Sequence, residues 1–225
     1  MKLLQTFALS IIVLASVSCQ SKTTTPKPVV KELAQVKKLS QEELQEYETA
    51  YFASGCFWCV EAIYESVRGV KEAVSGYAGG EEENPTYEQV SYGRTTHAET
   101  VVVYYDPKEI SFMELVQVFF GSHDPTTLNR QGPDRGAQYR SIAFYENDEE
   151  KKIIEAYMAA LEESKRYGRP IVTEVMPLTT FWKAEEYHQD YERKHPNDSY
   201  ITNVSIPRLD MFKKNFPDYL KKDSH

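Results

Sequence analysis

Apolar and polar positions divide the chain into three stretches. Leu3 to Ala15 is short and mostly apolar. Residues 20–39 are rich in Ser, Thr, Pro and Lys and carry no regular apolar period. From Ser40 onward apolar residues recur with the spacings of helices and strands. Ser40-Gln41-Glu42-Glu43 forms a capping box and predicts a short helix. Ala50 to Ser54 reads as a buried strand. Cys56 to Val67 reads as a helix with Val60, Ile63, Tyr64 and Val67 on one side, ended by Gly69. Val70 to Tyr77 predicts a second strand, followed by a long loop marked by Gly79, Gly80 and Pro85. Glu99 to Tyr105 alternates as a strand and stops at Asp106-Pro107. A second capping box, Ser111 to Glu114, opens a helix to about Phe120.

Gly121 to Gly136 reads as a loop and Tyr139 to Tyr145 as a strand. Glu149 to Arg166 reads as a long helix and Ile171 to Val175 as a last strand. The tail after Pro177 is expected to wrap the domain as coil with short helices. The order β-α-β-β-α-β, then α-β, predicts an α+β two-layer sandwich: a ferredoxin-like split β-α-β core with an added helix and strand. The order alone specifies no function.

The 225 residues suit one domain of ordinary size plus an appendage. Twenty-six Lys and Arg against 34 Asp and Glu give a net charge of −8, which argues against a nucleic-acid partner. No apolar run reaches the roughly 18 residues that would span a bilayer. Three cysteines, Cys19, Cys56 and Cys59, are too few for a disulfide-rich scaffold.

The apolar run ends in Ser16-Val17-Ser18, small residues directly before Cys19. This is the pattern of a secretory signal peptide, here residues 1–18. A cysteine after the cleavage point resembles the lipobox of bacterial lipoproteins, although Ser16 stands where a Leu-like residue is usual. The expectation is an exported protein anchored to a membrane, periplasmic or on the cell surface, through a lipidated Cys19. Residues 19–40 then form the acylated cysteine and a flexible linker, because so little apolar surface cannot offset the ordering entropy. The folded domain is expected over 41–225.

The candidate chemistry sits at Gly55-Cys56-Phe57-Trp58-Cys59. A strand runs into a helix here, so Cys56 lies at a predicted helix N-terminus. Unpaired N–H groups and the helix dipole favour an anion there, and the Cys56 pKa is expected to fall. Cys59, three residues on, shares its face. Such a pair suits dithiol–disulfide cycling. Two other readings are a structural disulfide, which would close only a tiny loop, and half of a zinc site, for which there is no second pair.

Gly55-Cys56-Phe57-Trp58 with Glu61 resembles the active-site motif of the A-type peptide methionine sulfoxide reductases. Further blocks agree in order: Gly76 to Gly80, Asn84 to Tyr87, His97-Ala98-Glu99, Tyr105 to Pro107, His123 to Pro125, Gln138 to Ser141 and Ala184 to Tyr191. The resemblance covers roughly 49–205, and so many ordered blocks are far more specific than one motif.

The resemblance implies roles residue by residue. Cys56 matches the nucleophile that attacks the sulfoxide sulfur. Phe57 and Trp58 match the aromatic pocket around the substrate methyl group; apart from the motif they would read as core. Glu99 matches the acid that protonates the sulfoxide oxygen. It shares strand parity with Val101, Val103 and Tyr105, which independently predicts a buried carboxyl with a raised pKa; the bland reading is a frayed strand end in water. Tyr87 and Tyr139 match two tyrosines that hydrogen-bond the same oxygen. Asp134 matches an acidic residue that helps order the site, although Asp in Pro133-Asp134-Arg135-Gly136 also reads as a turn.

The implied cycle reduces the S epimer of methionine sulfoxide, free or in proteins. A Cys56 sulfenic acid forms, a disulfide follows, and a thioredoxin-like reductant resets the pair. No metal, flavin or nucleotide cofactor is implied, and a monomer is expected. Cys59 departs from the commonest pattern, in which Gly stands at this position and a cysteine near the C-terminus resolves. Residues 60–225 contain no cysteine, so either Cys59 resolves or an external thiol does. Two other classes remain: a general thiol–disulfide oxidoreductase, and a non-catalytic lipoprotein that recognises oxidised surfaces.

Overall fold

The computed structural model describes residues 39–222; the expected signal peptide, Cys19 and most of the linker lie outside them. Helix α1 (Gln41–Leu44) starts at the predicted capping box, with the Ser40 side chain and Glu43 satisfying each other's backbone. Strand β1 (Glu48–Ser54) leads into α2 (Phe57–Glu65), then β2 (Val70–Ala78), the short α3 (Tyr87–Ser91), β3 (Ala98–Tyr105) and α4 (Phe112–Gly121). A two-residue hairpin, β4 (Arg130–Gln131) and β5 (Asp134–Arg135), precedes β6 (Ser141–Tyr145), α5 (Asp148–Glu163), β7 (Glu174–Pro177) and β8 (Phe181–Lys183). Helices α6 (Tyr191–Lys194) and α7 (Ile206–Asn215) follow.

The main sheet has the order β7-β6-β1-β3-β2-β8. Its central four strands are all antiparallel neighbours, β6-β1-β3-β2, which is the ferredoxin-like order expected from the β-α-β-β-α-β pattern. The long α5 returns the chain so that β7 pairs parallel to β6, making the sheet mixed. One face carries the larger core. There Val60, Ile63, Tyr64 and Val67 from the α2 side and Leu115, Phe119 and Phe120 from α4 are buried. Phe52 of β1 stacks on Tyr64 and Phe119 at 5.3 and 5.2 Å. The opposite face carries a smaller cluster of Ala53, Ala78, Ala98, Ile142 and Phe144.

The structure corrects several expectations. The tail is not only coil and short helices: Phe181–Lys183 adds an edge strand to β2. Thr86 and Gln89 form a capping box that opens α3 inside the expected loop. The strand expected from Tyr139 begins at Ser141, because Ala137–Tyr139 makes a 3₁₀ turn after Gly136 (φ 137°). Helix α5 stops at Glu163 rather than Arg166: the Ser164 hydroxyl donates to the Leu161 carbonyl and Lys165 turns left-handed at φ 52°. The last predicted strand starts at Glu174 rather than Ile171. Among the described residues no helix is long and apolar enough to cross a membrane.

Candidate active site

Gly55 makes the turn from β1 into α2. Its φ of 93° lies where side chains are rarely tolerated, and a Cβ there would stand 2.6 Å from Cβ of Gln131. The turn sets Cys56 at the N-cap of α2, its carbonyl accepting from Cys59 N at 3.2 Å and Val60 N at 3.3 Å. Cys56 is 6% exposed and Cys59 is 1% exposed, and both are free thiols.

Glu99 lies on β3 as its parity predicts, 2% exposed beside buried Val101 and Val103. Its Oε2 accepts the Phe57 N–H at 3.0 Å. Burial raises its pKa to about 8; the Phe57 N–H opposes the shift and the Asp134 charge adds to it. Glu99 is therefore a carboxylic acid at neutral pH.

The same hydrogen bond corrects the expectation for Cys56. Glu99, not the sulfur, occupies the first amide of the helix. Burial pushes the Cys56 thiol well above its ordinary value, and the hydrogen bond it donates to Cys59 pushes it further. Cys59 moves the other way, to about 6: it accepts that hydrogen bond, and the Arg208 charge with Ser205 and Tyr200 overcomes its own burial. The two sulfurs titrate as a pair, with Cys56 the harder of the two to deprotonate.

Tyr87 starts α3 and Tyr139 ends the 3₁₀ turn. Both are partly buried, burial raises both phenols, and both lie near enough to feel Glu99 and Cys56 when those groups ionise. Neither hydroxyl hydrogen-bonds another described residue. Phe57 is fully buried and packs on Tyr87, Tyr77 and His188 at 5.0 to 6.2 Å. Trp58 is partly exposed and stacks on Tyr191 at 3.8 Å, with its Nε1–H donating to His188 Nδ1 at 3.2 Å. Phe57 thus serves the core and the site wall together. Asp134 begins β5, and its Oδ2 accepts the Tyr200 hydroxyl at 2.6 Å, tying that turn to the tail.

Cys56, Phe57, Trp58 and Cys59 open α2, Glu99 is bonded to the Phe57 amide, Tyr87 packs on Phe57, and Asp134 is joined to Cys59 through Tyr200. The sequence reading gave no role to the supporting set from the tail. Glu185 accepts the Tyr87 N–H and the Tyr77 hydroxyl, both at 2.9 Å. His188 is held neutral, lowered to about 4 by burial, so it can accept from Trp58. Glu61, in the motif but without a role, is buried under the Asp190 N–H and the Ser75 hydroxyl, and burial raises it to about 7. The available signal was the density of aromatic and acidic residues in 184–191.

A family model described as peptide methionine sulfoxide reductase matches residues 48–220. A peptide methionine sulfoxide reductase MsrA 1 of Rhodopirellula baltica is 48% identical over 194 residues, 86% of this chain and 97% of that one. The MsrA of Haloquadratum walsbyi is 49% identical over 173 residues, 77% and 98% of the two chains. Among solved structures, reduced Mxr1 from Saccharomyces cerevisiae superposes with a TM-score of 0.62 at 37% identity, covering 67% of this chain and 87% of that one. Methionine sulfoxide reductase A of Corynebacterium diphtheriae does so at 0.60 and 37% identity, covering 67% and 76%. With the buried thiol pair and acid in place, the match over most of its length makes this chain a member of the peptide methionine sulfoxide reductase family, of the A type.

Proposed function

We propose that this chain reduces the S epimer of methionine sulfoxide, free or in proteins, with Cys56 as nucleophile, Glu99 as general acid and Cys59 as resolving thiol. The observation that carries the reading is Glu99, a buried carboxyl kept protonated at neutral pH and hydrogen-bonded to the amide next to Cys56.

Cys56 Sγ attacks the sulfoxide sulfur and its proton passes to Cys59, which already accepts its hydrogen bond. Glu99 protonates the oxygen, and the Tyr87 and Tyr139 hydroxyls steady the charge there. Phe57 and Trp58 hold the substrate methyl group, and Asp134 orders the rim. Methionine departs and the oxygen stays on Cys56 as a sulfenic acid. Cys59 then forms the disulfide and releases water. A thioredoxin-like dithiol protein reduces the bridge and is itself oxidised. One chain holds both sulfurs and the acid, so the cycle needs no second subunit.

The reading extends to location. Cys19 is lipidated and tethers the domain to a membrane outside the cytoplasm, with residues 1–18 removed. Its support is the apolar run, the small residues before Cys19 and the polar linker.

The test is turnover of the separated epimers of dabsylated methionine sulfoxide with dithiothreitol as reductant. Consumption of S and not R is expected. Insulin reduction without sulfoxide turnover would instead make the chain a general thiol–disulfide oxidoreductase.

A further inference from the structure

Cys59 is packed against the tail, at the point where its helix is irregular. Residues Ile201–Ser205 form a π turn that runs directly into α7, with the Ile206 N–H donating to the Ile201 carbonyl. The Tyr200 hydroxyl stands 3.8 Å from Cys59 Sγ, and Ser205, five residues on, acts on the same sulfur while its hydroxyl donates to Glu192. Such turns recur at functional sites. Arg208, one turn further along α7, is fixed by hydrogen bonds from its Nε to the Ser122 carbonyl at 2.9 Å and from its Nη2 to the Ser54 carbonyl at 3.0 Å.

Tyr200 has one proton and three candidate acceptors, Asp134 and the sulfurs of Cys59 and Cys56. In this structure the hydroxyl gives it to Asp134 Oδ2 at 2.6 Å, while the Cys59 sulfur is supplied by Cys56. The first step of the reaction removes that supply, because Cys56 becomes a sulfenic acid and its former proton sits on Cys59. The second step needs Cys59 as a thiolate again, now without its former donor.

We propose that Tyr200 is the positioning residue of this second step: its hydroxyl turns from Asp134 to Cys59 and holds that sulfur as the attacking thiolate. The step balances. The Cys59 thiolate attacks the Cys56 sulfenic sulfur, the S–S bond forms as the S–O bond breaks, and hydroxide leaves with the proton Cys59 gave up, as water. Cys59 is oxidised and the sulfenic acid is reduced. The charged and titratable groups that act on Cys59 are Cys56 on α2, Glu99 on β3, Tyr200 before the π turn and Arg208 on α7, with Asp134 acting through Tyr200. Burial holds the Tyr200 phenol protonated. The inference rests on the reading that Cys59 resolves the sulfenic acid.

The test follows disulfide formation alone. Reduced wild type, Tyr200→Phe, Asp134→Asn and the double variant receive one equivalent of methionine sulfoxide across a pH series, without reductant. Dimedone quenching and mass spectrometry then score sulfenic acid against the form lighter by two hydrogens, while released methionine is counted separately. Tyr200→Phe is expected to move the midpoint of bridge formation up by about one pH unit, the size of one lost hydrogen bond to a charged group. Asp134→Asn is expected to move it down, because an amide competes less well for the Tyr200 proton. That downward shift must vanish in the Tyr200→Phe background.

An unmoved midpoint in Tyr200→Phe, or an Asp134→Asn shift that survives in the double variant, overturns the proposal. If Tyr200→Phe does not fold, the nearly isosteric Asp134→Asn decides by the presence or absence of its downward shift. Wild type that releases no methionine rejects the proposed reaction, and wild type that releases it but keeps a stable sulfenic acid rejects Cys59 as resolver; either removes the ground on which the Tyr200 role stands.

Discussion

The carboxyl group of Glu99 accepts the backbone N–H of Phe57 at 3.0 Å, so the first amide of α2 is taken by the proposed acid and not by the nucleophile beside it. The consequence is a division of labour. The helix start orients Glu99, burial keeps it protonated, and the Cys56 proton leaves toward Cys59.

Glu99→Gln keeps the shape and the bond to Phe57 but has no proton to transfer. Its rate of methionine release is expected to fall by about 10²–10⁴-fold. The wild-type rate should follow a bell, rising through about 6 as Cys59 becomes able to take a proton and falling through about 8 as Glu99 ionises. The alkaline limb should be missing in Glu99→Gln. A residual rate within a few-fold of wild type would remove Glu99 as the acid.

The stability of the same variant has a definite sign. Glu99 is raised from 4.5 to about 8, so between these values the folded state binds more protons than the unfolded state. Its contribution is complete at low pH and is lost as pH rises toward 8. Glu99→Gln should therefore gain stability relative to wild type as pH climbs through this window. Urea denaturation at several pH values measures it; a wild type that gains on the variant as pH rises would contradict the burial argument.

Gly55→Ala tests the turn that places Cys56. With φ at 93° and a new Cβ 2.6 Å from Gln131, the variant should lose about 1–3 kcal/mol of stability. Methionine release should fall as well, since a displacement of Cys56 also moves the Phe57 amide that holds Glu99. Thermal unfolding and single-turnover assays read the two effects. An unchanged variant would mean that the loop bearing Gln131 yields freely.

How far the sequence could be read follows from where the information lies. The central four strands were legible because their apolar alternation is local and their connections leave few topologies. Burial of Glu99 was legible from strand parity only together with the family motif, since a frayed strand end in water reads equally well from the residues alone and β3 is buried on both faces. The Cys56 pKa was misjudged because the competitor for its helix amide comes from β3, 42 residues away in the chain. Edge strand β8 was missed because three residues carry no period, and its place depends on Gly76, where a Cβ would meet the Phe181 ring at 2.3 Å. Tyr200, Glu185 and His188 were invisible as site residues for the same reason: each acts through a partner more than 60 residues away, Asp134, Tyr87 or Trp58.

Cys19→Ala tests the proposed tether. Wild type should partition with membranes and the variant with the soluble exported fraction. One acyl chain anchors only weakly, so a multiply acylated cysteine is expected, and mass spectrometry of the mature N-terminus should find it. Equal release of both proteins would remove the lipoprotein reading and leave the catalytic one intact.

Cys59→Ser separates the two thiol steps. Only Cys56 makes the bond to the sulfoxide sulfur, so the variant should release one methionine per enzyme. That release should be slower, because a serine hydroxyl is a poorer acceptor for the Cys56 proton than the Cys59 thiolate it replaces. With a thioredoxin-type reductant it should then stall as a sulfenic acid that dimedone traps, since residues 60–225 offer no other thiol. Dithiothreitol, small enough to enter the pocket, should restore turnover by attacking Cys56 directly. Wild type treated with one equivalent of substrate should lose two hydrogens as the Cys56–Cys59 bridge forms, and Cys56→Ser should do no chemistry. Thioredoxin-supported turnover of Cys59→Ser at the wild-type rate would reduce Cys59 to a packing residue and make an external thiol the resolver.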